Sequence, residues 1–230
     1  MLGPEAVFNP GSLLAMWAAG IAGSAAVVAR WRIVGPGYIW LSVGVAGLVG
    51  AGAWFFEPGP VVAAAWLAGL GAGLAARHNT MGTVLLAFSA ALYLVSASSS
   101  SLPAPALTGS VALGGITGEM LLGHWYLVDP RIPRRPLQRL AAAGASGVVL
   151  DAAVVLSLAL PLAGSPTGLV ISIGLAAMSF VLMVAVWFAL RYPSYPGVMA
   201  ATGLSYLAVL TSLGAVSALR VLVMGDATLR

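Results

Sequence analysis

Two carboxylates stand in stretches otherwise suited only to lipid. Glu119 lies within TGSVALGGITGEMLLGHWYLVDP (108–130), and Asp151 follows the run AAAGASGVVL. An acidic side chain at the centre of a bilayer costs roughly 2.5–3.5 kcal/mol on insertion scales. Such residues therefore face the interior of a helix bundle and mark ion or proton routes. Gly115, Glu119, Gly123 and Tyr126 share one helical face, so small residues flank the carboxyl and let a second helix come close. Gly144 and Gly147 precede Asp151 on nearly one face. The runs carrying the two acids are sequential and joined by a short connection, which predicts antiparallel neighbours with both acids near mid-depth. Glu119 and Asp151 are then expected to meet as an acid pair, sharing a proton or holding a cation. The structural alternatives are a protonated Glu119 bonded to a neighbouring helix, and an Asp151 satisfied by a Ser, a Thr or a backbone carbonyl. Gly114 and Gly118 form a small-xxx-small pair, read as tight helix packing.

The two histidines, His78 and His124, both fall toward one side of the chain's topology. His124 is read as a relay within the proton or cation pathway of Glu119 and Asp151. The alternative is a redox site, with haem b or a quinone held near His78, His124, Trp125 and Tyr126. No metal site is assigned, and no cofactor is expected under the first reading. The connection DPRIPRRPLQR holds Arg131, Arg134, Arg135 and Arg139 between prolines that keep it extended until Pro136 can start a helix. Topology explains these arginines, and anionic lipid headgroups at the cytoplasmic face are their expected partners.

Composition fixes the setting for this chemistry. The 230 residues are 60% hydrophobic and only 7% charged, against about 25% charged in soluble domains. All ten basic residues are arginine, so no lysine is available for a retinal or pyridoxal Schiff base. Without cysteine there are no disulfides, thiolate metal ligands or cysteine-ligated clusters. No phosphate-binding loop, dinucleotide fingerprint, zinc-protease motif or nucleophile elbow occurs, which weighs against soluble-type catalysis. The net charge of +4 reflects membrane topology and not nucleic-acid binding. The arginine-only, Ala- and Gly-rich usage suggests a bacterial origin.

A spanning helix needs about 20 mostly apolar residues. Eight runs qualify, near 12–31, 38–55, 61–76, 80–97, 107–128, 138–162, 168–190 and 196–223. They predict an all-α membrane protein, a single domain over 1–230 built as a polytopic bundle of about eight transmembrane helices, N-out and C-out. The third run is short and carries Gly69, Gly71 and Gly73, and is read as a tilted helix, a centrally packed one, or one arm of a re-entrant pair with the fourth. The stretch SASSSSLPAPAL reads as a flexible outer loop. The N-terminus lacks a basic region before its first apolar run and is not expected to be a cleavable signal.

Arg30, Arg32, Arg77, Arg131, Arg134, Arg135, Arg139 and Arg191 all fall in the odd-numbered connections, which makes those connections cytoplasmic. Glu5, Glu57, Asp226 and Arg230 fall on the opposite side, where Arg220, one turn inside the last helix, is expected to snorkel outward. Trp31, Trp40, Trp54, Trp125 and Trp187 are placed as an aromatic belt. Arg77 and Arg191 close the third and seventh runs, and Tyr93 and Tyr206 follow at similar distances, which raises a duplication of four-helix halves. The functional expectation is a small proton- or cation-linked transporter or proton-conducting protein of the plasma membrane. The alternatives are the redox subunit and a non-catalytic scaffold or assembly subunit, with a homo-oligomer or a larger membrane complex as the implied partners.

Overall fold

The computed structural model describes residues 9–159 and 166–225. Glu5, Asp226 and Arg230, and the end of the sixth predicted run, lie outside the described residues. Eight helices follow one another: α1 (Pro10–Arg30), α2 (Pro36–Phe56), α3 (Pro60–Leu74), α4 (Asn79–Ser100), α5 (Pro103–Val128), α6 (Arg134–Ala159), α7 (Pro166–Ala189) and α8 (Tyr195–Gly225). Proline opens α1, α2, α3 and α5. At that position its missing N–H has no intrahelical acceptor to lose and its fixed φ is already helical. Asn9 caps α1 by accepting from the Gly11 amide at 2.8 Å, and its own amide donates to Glu57 at 2.9 Å, tying the start of α1 to the end of α2.

Short connections make consecutive helices antiparallel, so the C-terminal ends of α1, α3, α5 and α7 gather with their arginines at one end of the bundle. α1 packs on α2, α4 and α5, and α5 packs on α1, α6 and α8. These two first helices of each half are the most enclosed in the molecule. Gly20 on α1 faces Gly114 on α5, and Ser24 faces Gly118, a register that runs in one direction and so makes α1 and α5 parallel. A Cβ on Gly20 would stand 2.3 Å from the Ser110 carbonyl oxygen and 2.7 Å from the Gly114 Cα. Backbone therefore lies on backbone, as the small-xxx-small pair of α5 leads one to expect.

The halves α1–α4 and α5–α8 repeat one contact scheme, with the first helix against the second and fourth and the third against both. The tyrosines suggested as a repeat mark do not match. Tyr93 is buried with its hydroxyl where a Cβ of Gly50 would go, whereas Tyr206 is exposed.

Seven of the eight described helices are long and apolar enough to cross a membrane. The exception is α3, whose 15 residues reach about 22 Å, short of a hydrocarbon core of about 30 Å. This corrects the expectation of eight full spans. α3 is instead a short helix held by its neighbours: Trp66 Nε1 donates to the Gly47 carbonyl at 3.0 Å, Ser89 Oγ donates to the Ala65 carbonyl at 2.7 Å, and the Trp40 ring lies against Gly73. The outer face is apolar, with Leu48, Phe55 and Leu74 among the most exposed residues, and buries its polar groups inward. This is the pattern of a multi-pass protein in contact with lipid.

The serine-rich stretch expected as a flexible loop is mostly helical, because α4 runs to Ser100 and α5 resumes at Pro103. Ser98 and Ser101 donate to carbonyls one turn back, at 2.7 and 2.6 Å. That back-bonding lets serine run on at the end of a helix.

The α1–α5 contact yields a test. Gly114→Ala places a methyl within 2.4 Å of Gly20 backbone atoms and should lower stability by about 1–3 kcal/mol. Gly174→Ala, where no atom lies within 4 Å, should be neutral or stabilising by up to about 1 kcal/mol. Thermal unfolding in mild detergent separates the two; equal effects would mean that the crossing tolerates a side chain.

Candidate functional site

α5 carries two polar sites on its length, and α8 answers both. Near the start of α5, Asp151 of α6 meets Arg220 of α8 in a bidentate pair, with Nη1 donating to Oδ2 at 2.5 Å and Nη2 to Oδ1 at 2.7 Å. Both side chains are buried. Arg220 Nη2 also donates to the Pro105 carbonyl at 2.6 Å, and Thr108 Oγ1 donates to Asp151 Oδ1 at 2.7 Å. Gly109 makes room for this, since a Cβ there would fall 2.4 Å from Nη2. The carboxylate thus sits by the first turns of α5 and the guanidinium by the last turns of α8, where each charge suits the local helix dipole. Arg220 was expected to snorkel outward. It turns inward because Asp151 offers a fork-matched partner that the bilayer cannot.

The second site lies three turns along α5 from Thr108, about 16 Å along the axis. Glu119 is fully buried, and its Oε2 is within hydrogen-bonding reach of Ser205 Oγ on α8. Its Oε1 has no partner among the described residues. Ser205 Oγ is also 2.9 Å from the Ala201 carbonyl. A hydroxyl has one proton to give, so the contact has two complete forms. With an ionised Glu119, Ser205 donates to the carboxylate. With a protonated Glu119, the acid donates to Ser205 Oγ, and Ser205 donates to the Ala201 carbonyl. α8 comes this close because Gly123 presents no side chain to Thr202, whose Oγ1 would be 2.5 Å from a Cβ at that position.

Glu119 and Asp151 therefore do not meet. α5 and α6 are antiparallel neighbours as expected, with Gly115 against Gly144 and Gly147 against Ala112, but that register sets Asp151 opposite Thr108 and not opposite Glu119. Each acid is answered by its own residue of α8, Ser205 or Arg220, about four turns apart.

The histidines are not gathered at either site. His78 and His124 are both exposed, and among the described residues neither side chain makes a hydrogen bond or an ion pair. His78 occupies the cap position of α4 without a side-chain capping bond. The residues after His124 diverge: Trp125 packs edge-on against Tyr38 with centroids 6.3 Å apart, and Tyr126 lies beside Tyr195 at 6.5 Å. No group of three His, Asp or Glu residues that could hold a metal occurs among the described residues.

The four arginines of the α5–α6 connection also separate. Exposed Arg131 donates to Asp129 at 3.1 Å, and this hydrogen bond holds the Asp129 carboxyl below its usual range. Arg134 donates to the Tyr192 carbonyl and, at 3.1 Å, to the Ser194 carbonyl, tying α6 to the α7–α8 turn. Arg139 lies 5.8 Å over the Trp31 ring, and Arg135 is exposed.

Sequence reasoning did not pick out Ser205, Thr108 or the inward role of Arg220. A signal for the last was present, because one acid and one base each interrupt an apolar run, and two isolated opposite charges in lipid are stabilised by finding each other. The serine carried no signal, being one of many in small-residue helices.

Arg220→Met leaves Asp151 buried without its cation and should destabilise the protein by about 3–5 kcal/mol, while Asp151→Leu/Arg220→Met should recover most of the loss. Thermal unfolding of the single and double variants measures the coupling; additive losses would show that the pair acts as two independent packing residues.

In comparisons with family models, curated proteins and solved structures, nothing matches this chain.

Proposed function

We propose that the chain is a small proton- or cation-linked membrane protein whose exchangeable acid is Glu119, with Ser205 as its hydrogen-bonding partner. The observation that carries this reading is a fully buried carboxyl whose one bonded neighbour among the described residues is a hydroxyl able to reverse its donor role. Such an acid can gain or lose a proton without leaving its partner unbonded. Intramembrane acids facing a bundle interior are commonly part of proton or ion routes. Asp151 has a different part here, since its charge is matched by Arg220 and it serves to hold α5, α6 and α8 together. Thr202 and the Tyr126–Tyr195 pair lie on the side of Glu119 toward the arginine-rich end, and this polar line is the proposed exit for the proton. His124, exposed beside it, is the candidate acceptor at that end.

The arginine-rich end is assigned to the cytoplasm, with both termini on the other side of a plasma membrane, on the asymmetry of the arginines. The redox reading has less behind it, because His78, His124, Trp125 and Tyr126 do not form one cluster. An assembly role would be favoured by a protein that moves no protons.

Two measurements on purified protein test the proposal. pH-difference infrared spectroscopy should reveal a protonated-carboxyl band that is absent in Glu119→Gln. In liposomes carrying a pH-sensitive dye, an imposed potential should drive proton flux in the wild type, at least tenfold less in Glu119→Gln, and an intermediate flux in Ser205→Ala. A Glu119→Gln variant with unchanged thermal unfolding and undiminished flux would make the acid a packing residue.

A further inference from the structure

The α1–α5 crossing has two flanks, and they are finished differently. On one flank, Trp17 of α1 lies across α5 with its indole Nε1 donating to Thr117 Oγ1 at 2.9 Å. Leu13, Leu113 and Val216 close around it. The register that sets Gly20 against Gly114 and Ser24 against Gly118 puts Val111 where Trp17 stands on the first flank, and Gly23 where Thr117 stands. The second flank thus lacks both the indole and the hydroxyl that anchors it. What remains is a groove of about 380 Å³ lined by Gly23 and Val111, walled by Ala91 of α4 and Ala143 of α6. Gly23 has only the Ala90 methyl near it, at 3.8 Å from where a Cβ would be. Val27, Leu107 and Val111 on its rim are exposed, so the groove opens toward the bilayer.

The groove is apolar along its length and ends in charge. Arg139 lines it at the arginine-rich end, stacked 5.8 Å over Trp31. Among the described residues Arg139 has no acidic partner, unlike Arg220 and Arg131. A slot of this kind matches a ligand with an aliphatic chain and an anionic head. Cations next to a membrane surface attract anionic lipid, and tryptophan favours the same interfacial depth.

We propose that this groove seats one acyl chain of an anionic phospholipid, whose phosphate is held by Arg139 beside Trp31. The lipid fills on the second flank the space that Trp17 fills on the first, and so completes the packing between the two halves. The inference is independent of any proton chemistry at Glu119, which lies on the α8 side of α5.

The full chain, stripped of lipid in mild detergent and titrated with phosphatidylglycerol or phosphatidylcholine, can be followed by native mass spectrometry. The wild type should retain one phosphatidylglycerol, bound several-fold more tightly than phosphatidylcholine. Arg139→Gln should bring the two lipids to equal, weak binding. Val111→Trp with Gly23→Thr transplants the plug and should exclude both. Because that double variant disturbs the central crossing, Ala91→Leu serves as a milder obstruction from α4 and should also weaken retention, with unchanged thermal unfolding in the lipid-free state. Equal binding of the two lipids by the wild type, or undiminished phosphatidylglycerol binding in both Arg139→Gln and Ala91→Leu, would overturn the proposal. So would a lipid-free wild type that dimerises and loses its dimer in Ala91→Leu, which would make the groove a seam between two copies.

Discussion

Gly20 and Gly114 face each other with no side chain between them, and the rest of the bundle is arranged around that approach. Ser24 against Gly118 extends the contact by a turn, so α1 and α5 touch along a seam where a methyl on Gly20 or Gly114 would meet backbone and one on Gly118 would meet Ser24. In lipid there is little hydrophobic gain from bringing two apolar helices together, and close van der Waals contact between small residues takes its place. With α1 and α5 fixed, each offers its remaining faces to its own half, α2 and α4 on one side, α6 and α8 on the other. The outer helices can then present Leu, Phe and Val to the bilayer.

A serine in such a setting can bond its own helix, but a buried acid needs a partner from a neighbouring one. α8 supplies both answers to the buried acids, with Ser205 for Glu119 and Arg220 for Asp151. The two sites differ in chemistry because the partners differ. Asp151 has a bidentate cation and one further hydrogen bond, from Thr108, so its position is fixed from two helices. Glu119 has a neutral hydroxyl, which can donate to the carboxylate or accept from the acid. The same helix thus gives one acid a cation and the other a neutral hydroxyl.

The two halves share a contact scheme yet diverge at the positions that finish the central seam. Trp17 and Thr117 fill one flank with a hydrogen-bonded plug, and Val111 with Gly23 leave the other open beneath Arg139. An architecture of similar halves therefore still provides one closed and one open side.

The amino-acid sequence by itself determined that the chain is helical and belongs with lipid, because runs of about 20 apolar residues bounded by Pro, Gly and Arg leave no other way to satisfy the backbone. It also marked Glu119 and Asp151 as interior, Gly114 and Gly118 as a packing pair, and α3 as the doubtful span. Only the tertiary structure decided which groups meet. Helical periodicity gives the face on which a residue lies, but the sliding of one helix along another is set by where backbones can approach, here at Gly115–Gly144 and Gly147–Ala112. That register separates the two acids, turns Arg220 inward to Asp151, and leaves His78 and His124 outside both sites. A glycine's contribution to such a register depends on the residue it faces, which lies far away in the chain and cannot be read from its own neighbours.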